Sequence, residues 1–177
     1  MKYLIFCLRS EEFFVLEGIM FNWKKKREIE IYSPISGEII QIDTIPDKMF
    51  ANKMLGDGIG FIMNEDTVYS PCEGKVMMIA GTKHAIGIED KNGVELLIHI
   101  GLDTVNLQGE GFKPLVQVGD KVSINTPLIE VNSGLIKEKG IDLTSAMVIT
   151  NTDNYNFTFE KFGQVDSGKK VLTLLKK

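Results

Sequence analysis

From Glu28 onward, apolar and polar positions alternate in short runs, and Gly, Pro, Asn and Asp interrupt them every few residues. Glu28-Ile29-Glu30-Ile31-Tyr32 repeats with a period of two, which puts both isoleucines on one face of a strand and both glutamates on the other. Similar short apolar runs predict strands over 38–42, 59–63, 75–80, 85–88, 94–98, 121–124, 128–131, 147–151 and 171–175. Helical periodicity is weak throughout; only 48–54 and 133–139 suit a helix, one or two turns each. Many short strands at close spacing predict an all-β fold, an antiparallel sandwich or barrel-like sandwich.

One piece of the pattern occurs twice. Tyr32-Ser33-Pro34-Ile35-Ser36-Gly37-Glu38-Ile39 returns 37 positions later as Tyr69-Ser70-Pro71-Cys72-Glu73-Gly74-Lys75-Val76. Each copy is a Pro-x-x-Gly turn feeding a strand, so the fold is expected to be internally duplicated, with two similar β-units packed together. Gln117-Val118-Gly119-Asp120-Lys121-Val122 predicts a further tight turn between strands.

Both histidines of the chain, His84 and His99, flank the sharpest of these turns, Asp90-Lys91-Asn92-Gly93. Asn-Gly between two apolar runs is a hairpin signal. A turn centred between Lys91 and Asn92 sets the two imidazoles directly opposite each other, and one centred on Asn92-Gly93 makes them diagonal neighbours on one face. A three-residue loop with Gly93 in the left-handed region blurs the facing. Gly101, two residues after His99, is expected to leave that ring open to an approaching molecule. Two neutral imidazoles, one of them accessible, suit a nucleophile and a hydrogen-bonding partner, whereas a lone histidine on a strand is more often structural.

Composition narrows the picture. The 177 residues, 44% hydrophobic, suit one domain with a filled core. A net charge of −4 with mixed signs leaves no nucleic-acid footprint. Cys7 and Cys72 have neither metal-ligand spacing nor a disulfide framework, which favours a reducing cytoplasm, and no apolar stretch is long enough to span a membrane. Residues 1–27 read as an N-terminal tail ahead of a domain over 28–177. Within it, Glu17-Gly18 precedes Met20 at the distance of a ribosome-binding site from a start codon, so 1–19 is expected to be an upstream extension. Phe21 and Trp23 beside Lys24, Lys25, Lys26 and Arg27 suit either a solvated tail or contact with an anionic membrane surface.

The run Gly93-Val94-Glu95-Leu96-Leu97-Ile98-His99-Ile100-Gly101-Leu102-Asp103-Thr104-Val105, followed by Gly109-Glu110-Gly111-Phe112, resembles the glucose-class IIA domain of the bacterial phosphoenolpyruvate-dependent sugar phosphotransferase system. Thr82-Lys83-His84-Ala85, Ser33-Pro34-x-x-Gly37 and Pro46-Asp47, Phe50-Ala51 and Gly56-Asp57-Gly58 fit the same family in order and spacing, over about residues 28–177. The resemblance implies a cytoplasmic phosphohistidine carrier: His99 takes a phosphoryl group from the phosphohistidine of HPr and hands it to a cysteine of a IIB domain. His84 would hydrogen-bond a phosphate oxygen and Thr82 would orient His84. Backbone N–H groups of Gly101, Leu102 and Asp103 are further candidate donors. No metal and no cofactor is implied. The docking ground would comprise Asp47, Phe50, Gly101, Asp103 and Val105, with Ile100 and Leu102 adding apolar surface and the aspartates facing basic side chains. Phe50 equally suits a core position, and Asp47 a turn or helix cap. Ala80 stands where the family carries a larger apolar residue, which implies a shallower rim.

Three rival readings belong to other classes. A zinc hydrolase of the lysostaphin type matches His99-x-x-x-Asp103 but needs a His-x-His that this chain lacks. Two neighbouring histidines nonetheless suit zinc completed by a partner's carboxylate. A biotinyl or lipoyl carrier matches the Val118-Gly119-Asp120-x-Val122 turn but lacks the lysine hairpin. A regulator of sugar permeases or kinases is compatible with phosphotransfer.

Overall fold

A computed structural model describes residues 28–177 throughout and, before them, only the strand backbones of Cys7–Leu8 (β1), Glu11–Leu16 (β2) and Ile19–Trp23 (β3), which pair antiparallel in that order. The expectations for the basic run 24–27 lie outside the described residues.

The strands that follow are β4 (Glu28–Tyr32), β5 (Gly37–Gln41), β6 (Asp57–Met63), β7 (Thr67–Tyr69), β8 (Gly74–Ile79), β9 (Ala85–Asp90) and β10 (Glu95–His99). After them come β11 (Phe112–Pro114), β12 (Lys121–Val122), β13 (Pro127–Val131), β14 (Ser145–Ile149), β15 (Tyr155–Phe159), β16 (Gly163–Val165) and β17 (Lys170–Lys176). Two short helices interrupt them, α1 (Lys48–Ala51) and α2 (Ser133–Glu138). Eight strands form one sheet in the order β12-β8-β9-β10-β14-β6-β5-β16, and β11-β13-β7 and β15-β17-β4 form two smaller ones. Every strand pair is antiparallel. The fold is thus the all-β sandwich expected from the alternation.

The period-two pattern explains which face is inside. Ile86 and Ile88 of β9, Leu96 and Ile98 of β10, and Met147 and Ile149 of β14 point inward with Ile29 and Ile31 of β4 into one core. The opposite face of the large sheet carries a second, smaller cluster, in which Ile42, Ile45 and Phe50 cover Ala146 and Val148. The segment leading into α1 therefore lies over part of the outer face, and His99, facing outward on β10, comes at the edge of that cover.

The duplication is visible in the backbone. The Tyr32 N–H donates to the Pro71 carbonyl at 2.9 Å and the Tyr69 N–H to the Pro34 carbonyl at 2.8 Å, so each repeat bonds the other reciprocally. Buried Ser33 and Ser70 each donate their hydroxyl to the carbonyl two residues on, Ile35 and Cys72. Strands β7, β11 and β16 are too short to show an alternation, and β15, although its aromatic residues Tyr155, Phe157 and Phe159 alternate with Asn156 and Thr158, is not among the expected strands.

Candidate functional site

The central hairpin adopts the three-residue loop. Gly93 has φ of +84°, the Asp90 N–H donates to the Val94 carbonyl, and His99 pairs with Ala85. In this register a strand continued straight back to position 84 would send the two rings to opposite faces. The chain is not straight there. Lys83, with φ of +60°, closes a turn by donating its N–H to the Ala80 carbonyl at 2.7 Å. His84 enters from that turn, holds the ladder only through its carbonyl, which accepts from the Ile100 N–H at 2.8 Å, and lays its ring against His99. The ring centroids are 4.7 Å apart at 79°, edge to face.

The surroundings fix what each ring presents. Thr82 Oγ1 is 2.6 Å from His84 Nδ1, so the free nitrogen of His84 is Nε2. His99 Nδ1 is buried without a hydrogen bond, alone in that respect among the described residues, although the nearby Gly101 backbone favours the protonated ring slightly. His99 Nε2 is not among the buried, unpartnered atoms and has no partner either, so it reaches the surface. Burial, reinforced by the neighbouring His84, pushes the His99 imidazole down to about 4 against opposing influences from Asp47 and Gly101. Burial also lowers His84. Both rings are neutral at physiological pH and His99 carries a free lone pair, as a nucleophile requires.

The loop after His99 is braced from beneath. The Gly101 N–H donates to Ser145 Oγ at 3.0 Å, the Leu102 N–H to the Asp142 carbonyl at 2.8 Å, and Thr104 Oγ1 to the Ile100 carbonyl at 2.7 Å. Two of the three backbone donors expected for a phosphoryl group are therefore occupied, leaving the Asp103 N–H. The expectation for Gly101 is corrected as well. It is buried rather than an open gap, its φ is +72°, and a Cβ there would stand 2.5 Å from Thr104 Cγ2. Glycine is required by the turn, not by an incoming ligand.

Two other expected docking residues are also internal. Phe50 is 3% exposed and Ile100 fully buried, so neither offers a partner free apolar surface. The Phe50 ring lies 5.1 Å from His99 at 59°, which makes it a wall behind the nucleophile. Asp47 caps α1, accepting from the Met49 N–H at 2.7 Å, and stays close enough to His99 to influence its charge. Asp103 and Val105 are exposed and Leu102 is half-buried at the same margin. Ser145 and Asp142 escape sequence reading, and Thr104 stands in the quoted run without a role; the Ser145 contact joins residues 44 positions apart and leaves no local signal.

A family model for the phosphoenolpyruvate-dependent sugar phosphotransferase system, EIIA 1, matches residues 29–155. The chain belongs to that family. Among solved structures, this EIIA domain is similar to the glucose permease IIA from Mycoplasma capricolum, with 34% identity and a TM-score of 0.80 over 85% of this chain and 98% of that one. The EIIA domain is accordingly a phosphocarrier of the sugar phosphotransferase system. The hydrolase and biotinyl-carrier readings gain nothing from the comparisons. Among the described residues no group of three or more His, Cys, Asp or Glu side chains is placed to hold a metal ion, and no helix is long and apolar enough to cross a membrane.

Proposed function

We propose that His99 Nε2 is the atom that carries the phosphoryl group. Its lone pair attacks the phosphorus of phosphohistidine on HPr; the new N–P bond forms as the old one breaks, and the electron pair returns to the donor imidazole. In the second half, a IIB cysteine thiolate attacks the same phosphorus and His99 recovers its lone pair. Such a reaction needs an uncharged nucleophile, room for a planar phosphoryl in flight and donors aimed at its oxygens. With the Thr82 hydroxyl donating to Nδ1, the proton of the His84 ring sits on Nε2, where it can bond a phosphoryl oxygen. The observation that carries the reading is the contact of the two rings at 4.7 Å, with His99 Nδ1 buried and Nε2 accessible.

Docking on this reading uses Val105 and Leu102 as apolar ground, with Asp47 and Asp103 facing basic side chains of HPr and of the IIB domain; Phe50 and Gly101 support from below. Both relay partners act in the cytoplasm, where we place the protein, and residues 28–177 constitute the functional domain. The experiment mixes the purified protein with phosphoenolpyruvate, enzyme I and HPr. One acid-labile, base-stable phosphate per chain is expected, lost in His99→Ala and retained in His84→Gln, which is impaired in passing the group onward. Phosphate uptake persisting in His99→Ala would reject the nucleophile.

A further inference from the structure

Four charged residues lie in register across neighbouring strands on the outer face of the large sheet. Lys121 of β12 is the cross-strand partner of Lys75 of β8, Lys75 of Glu89 of β9, and Glu89 of Glu95 of β10. All four are exposed. Two like-charged pairs thus stand directly opposite one another, an arrangement that works against strand pairing. The opposite-charge pair between them, Lys75 and Glu89, offsets this only in part: none of the four is in an ion pair among the described residues, and their side-chain bonding is confined to the Thr150 hydroxyl on Glu95. Positive charge is gathered at one end of the stripe and negative charge at the other.

Beside the stripe, Met77 and Met78 are 49% and 42% exposed. Met77 lies between two depressions. One, of about 350 Å³, is mainly apolar and lined by Met78, Gly87 and Leu97, with Glu89 and Glu95 at its rim; the other, of about 650 Å³, carries Lys75 and Lys121 together with Glu73, Glu89 and Asp90.

We propose that this face is a self-association surface, and that its occupant is a second copy of the chain matched through the Lys121–Lys75–Glu89–Glu95 stripe. A two-fold axis lying above the sheet, parallel to the strands and between β8 and β9, carries Lys75 over Glu89 of the second copy and Lys121 over its Glu95. The same rotation carries Met77 over the apolar depression of the other molecule, where an unbranched thioether adapts readily. Because a two-fold contact is repeated, four opposite-charge contacts between the copies offset the four like-charge juxtapositions that they retain, and the assembly closes at two copies. His99 faces outward on the same strand as Glu95, about 13 Å farther along. The dimer therefore crowds the approach to His99, a consequence that rests on the proposed role of that residue, whereas the dimer itself does not.

Sedimentation velocity of the unphosphorylated full chain tests this without reference to phosphotransfer. A dimer is expected at low salt and a monomer at high salt, which reads the ionic contact in the unsubstituted protein. The charge reversals Lys75→Glu/Lys121→Glu and Glu89→Lys/Glu95→Lys should each weaken self-association by about tenfold or more, and their equimolar mixture should restore a dimer. A wild-type chain that stays monomeric up to millimolar concentration at low salt overturns the proposal and assigns the stripe to a different partner. So does a dimer indifferent to salt and to both reversals, or a mixture that remains monomeric.

Discussion

Thr82 Oγ1 stands 2.6 Å from Nδ1 of His84, and this one contact decides which nitrogen of that ring is left free. A hydroxyl that donates to Nδ1 fixes the ring proton on Nε2, the nitrogen left free to bond a phosphoryl oxygen. Thr82→Val keeps the shape and removes the donor. Transfer from His99 to a IIB domain is expected to slow on the order of tenfold, with the fold intact. Thr82→Ser should restore it, because the hydroxyl rather than the methyl group does the positioning. Equal losses in Val and Ser variants, read by the rate of phosphate release to IIB, would remove Thr82 from the mechanism.

The pH dependence follows from the burial of His99. Phosphoryl uptake is expected to stay level as pH falls through the ordinary imidazole value of 6.5, and to decline only as pH nears about 4. For stability, the unfolded chain binds this proton below 6.5 while the folded chain resists it until about 4. The contribution is complete above 6.5 and is lost as pH falls from there toward 4. His84, lowered by burial in the same direction, adds to the loss. Urea unfolding across this window should show less acid sensitivity in His99→Gln than in the parent.

Gly101→Ala tests the turn beneath the nucleophile. With φ at +72° and the added carbon 2.5 Å from Thr104 Cγ2 and 3.1 Å from the Asp142 carbonyl oxygen, both backbone and neighbour must yield. A loss of about 1–3 kcal/mol in denaturant unfolding is expected, together with weakened phosphate uptake as His99 is displaced. Unchanged stability would mean that the loop relaxes freely.

Phe50 and Val105 should separate wall from docking surface. Phe50→Ala opens a cavity in the small cluster behind His99 and is expected to cost about 3 kcal/mol. Val105, 51% exposed, should leave unfolding unchanged when replaced by Asp while slowing uptake from HPr. Stopped-flow transfer measured beside thermal unfolding distinguishes the two patterns; a Val105→Asp variant with normal uptake would place the contact elsewhere.

The long regular strands were readable from sequence because burial on one face imposes alternation, as in Ile29 and Ile31 or Leu96 and Ile98. The strands Thr67–Tyr69, Phe112–Pro114, Tyr155–Phe159 and Gly163–Val165 were not, since they are short or lie partly at the surface and their pairing is decided by neighbours distant in the chain. The histidine pair was legible from its hairpin, but the way it meets was not. The register alone separates the rings, and the turn at Lys83 restores the contact, a detail carried by one positive φ that no residue type announces. Exposure of the residues around His99 was equally hidden. Phe50 and Gly101 belong to motifs that resemble a docking rim, yet tertiary packing draws both inside.

The reciprocal bonds between Tyr32 and Pro71 and between Tyr69 and Pro34 bind the two repeats like clasped hands. Neither half retains a complete set of backbone partners when the other lets go. Pulled from its ends, the domain should give way in a single rupture rather than peel strand by strand, so the imidazole pair is lost only when everything is lost.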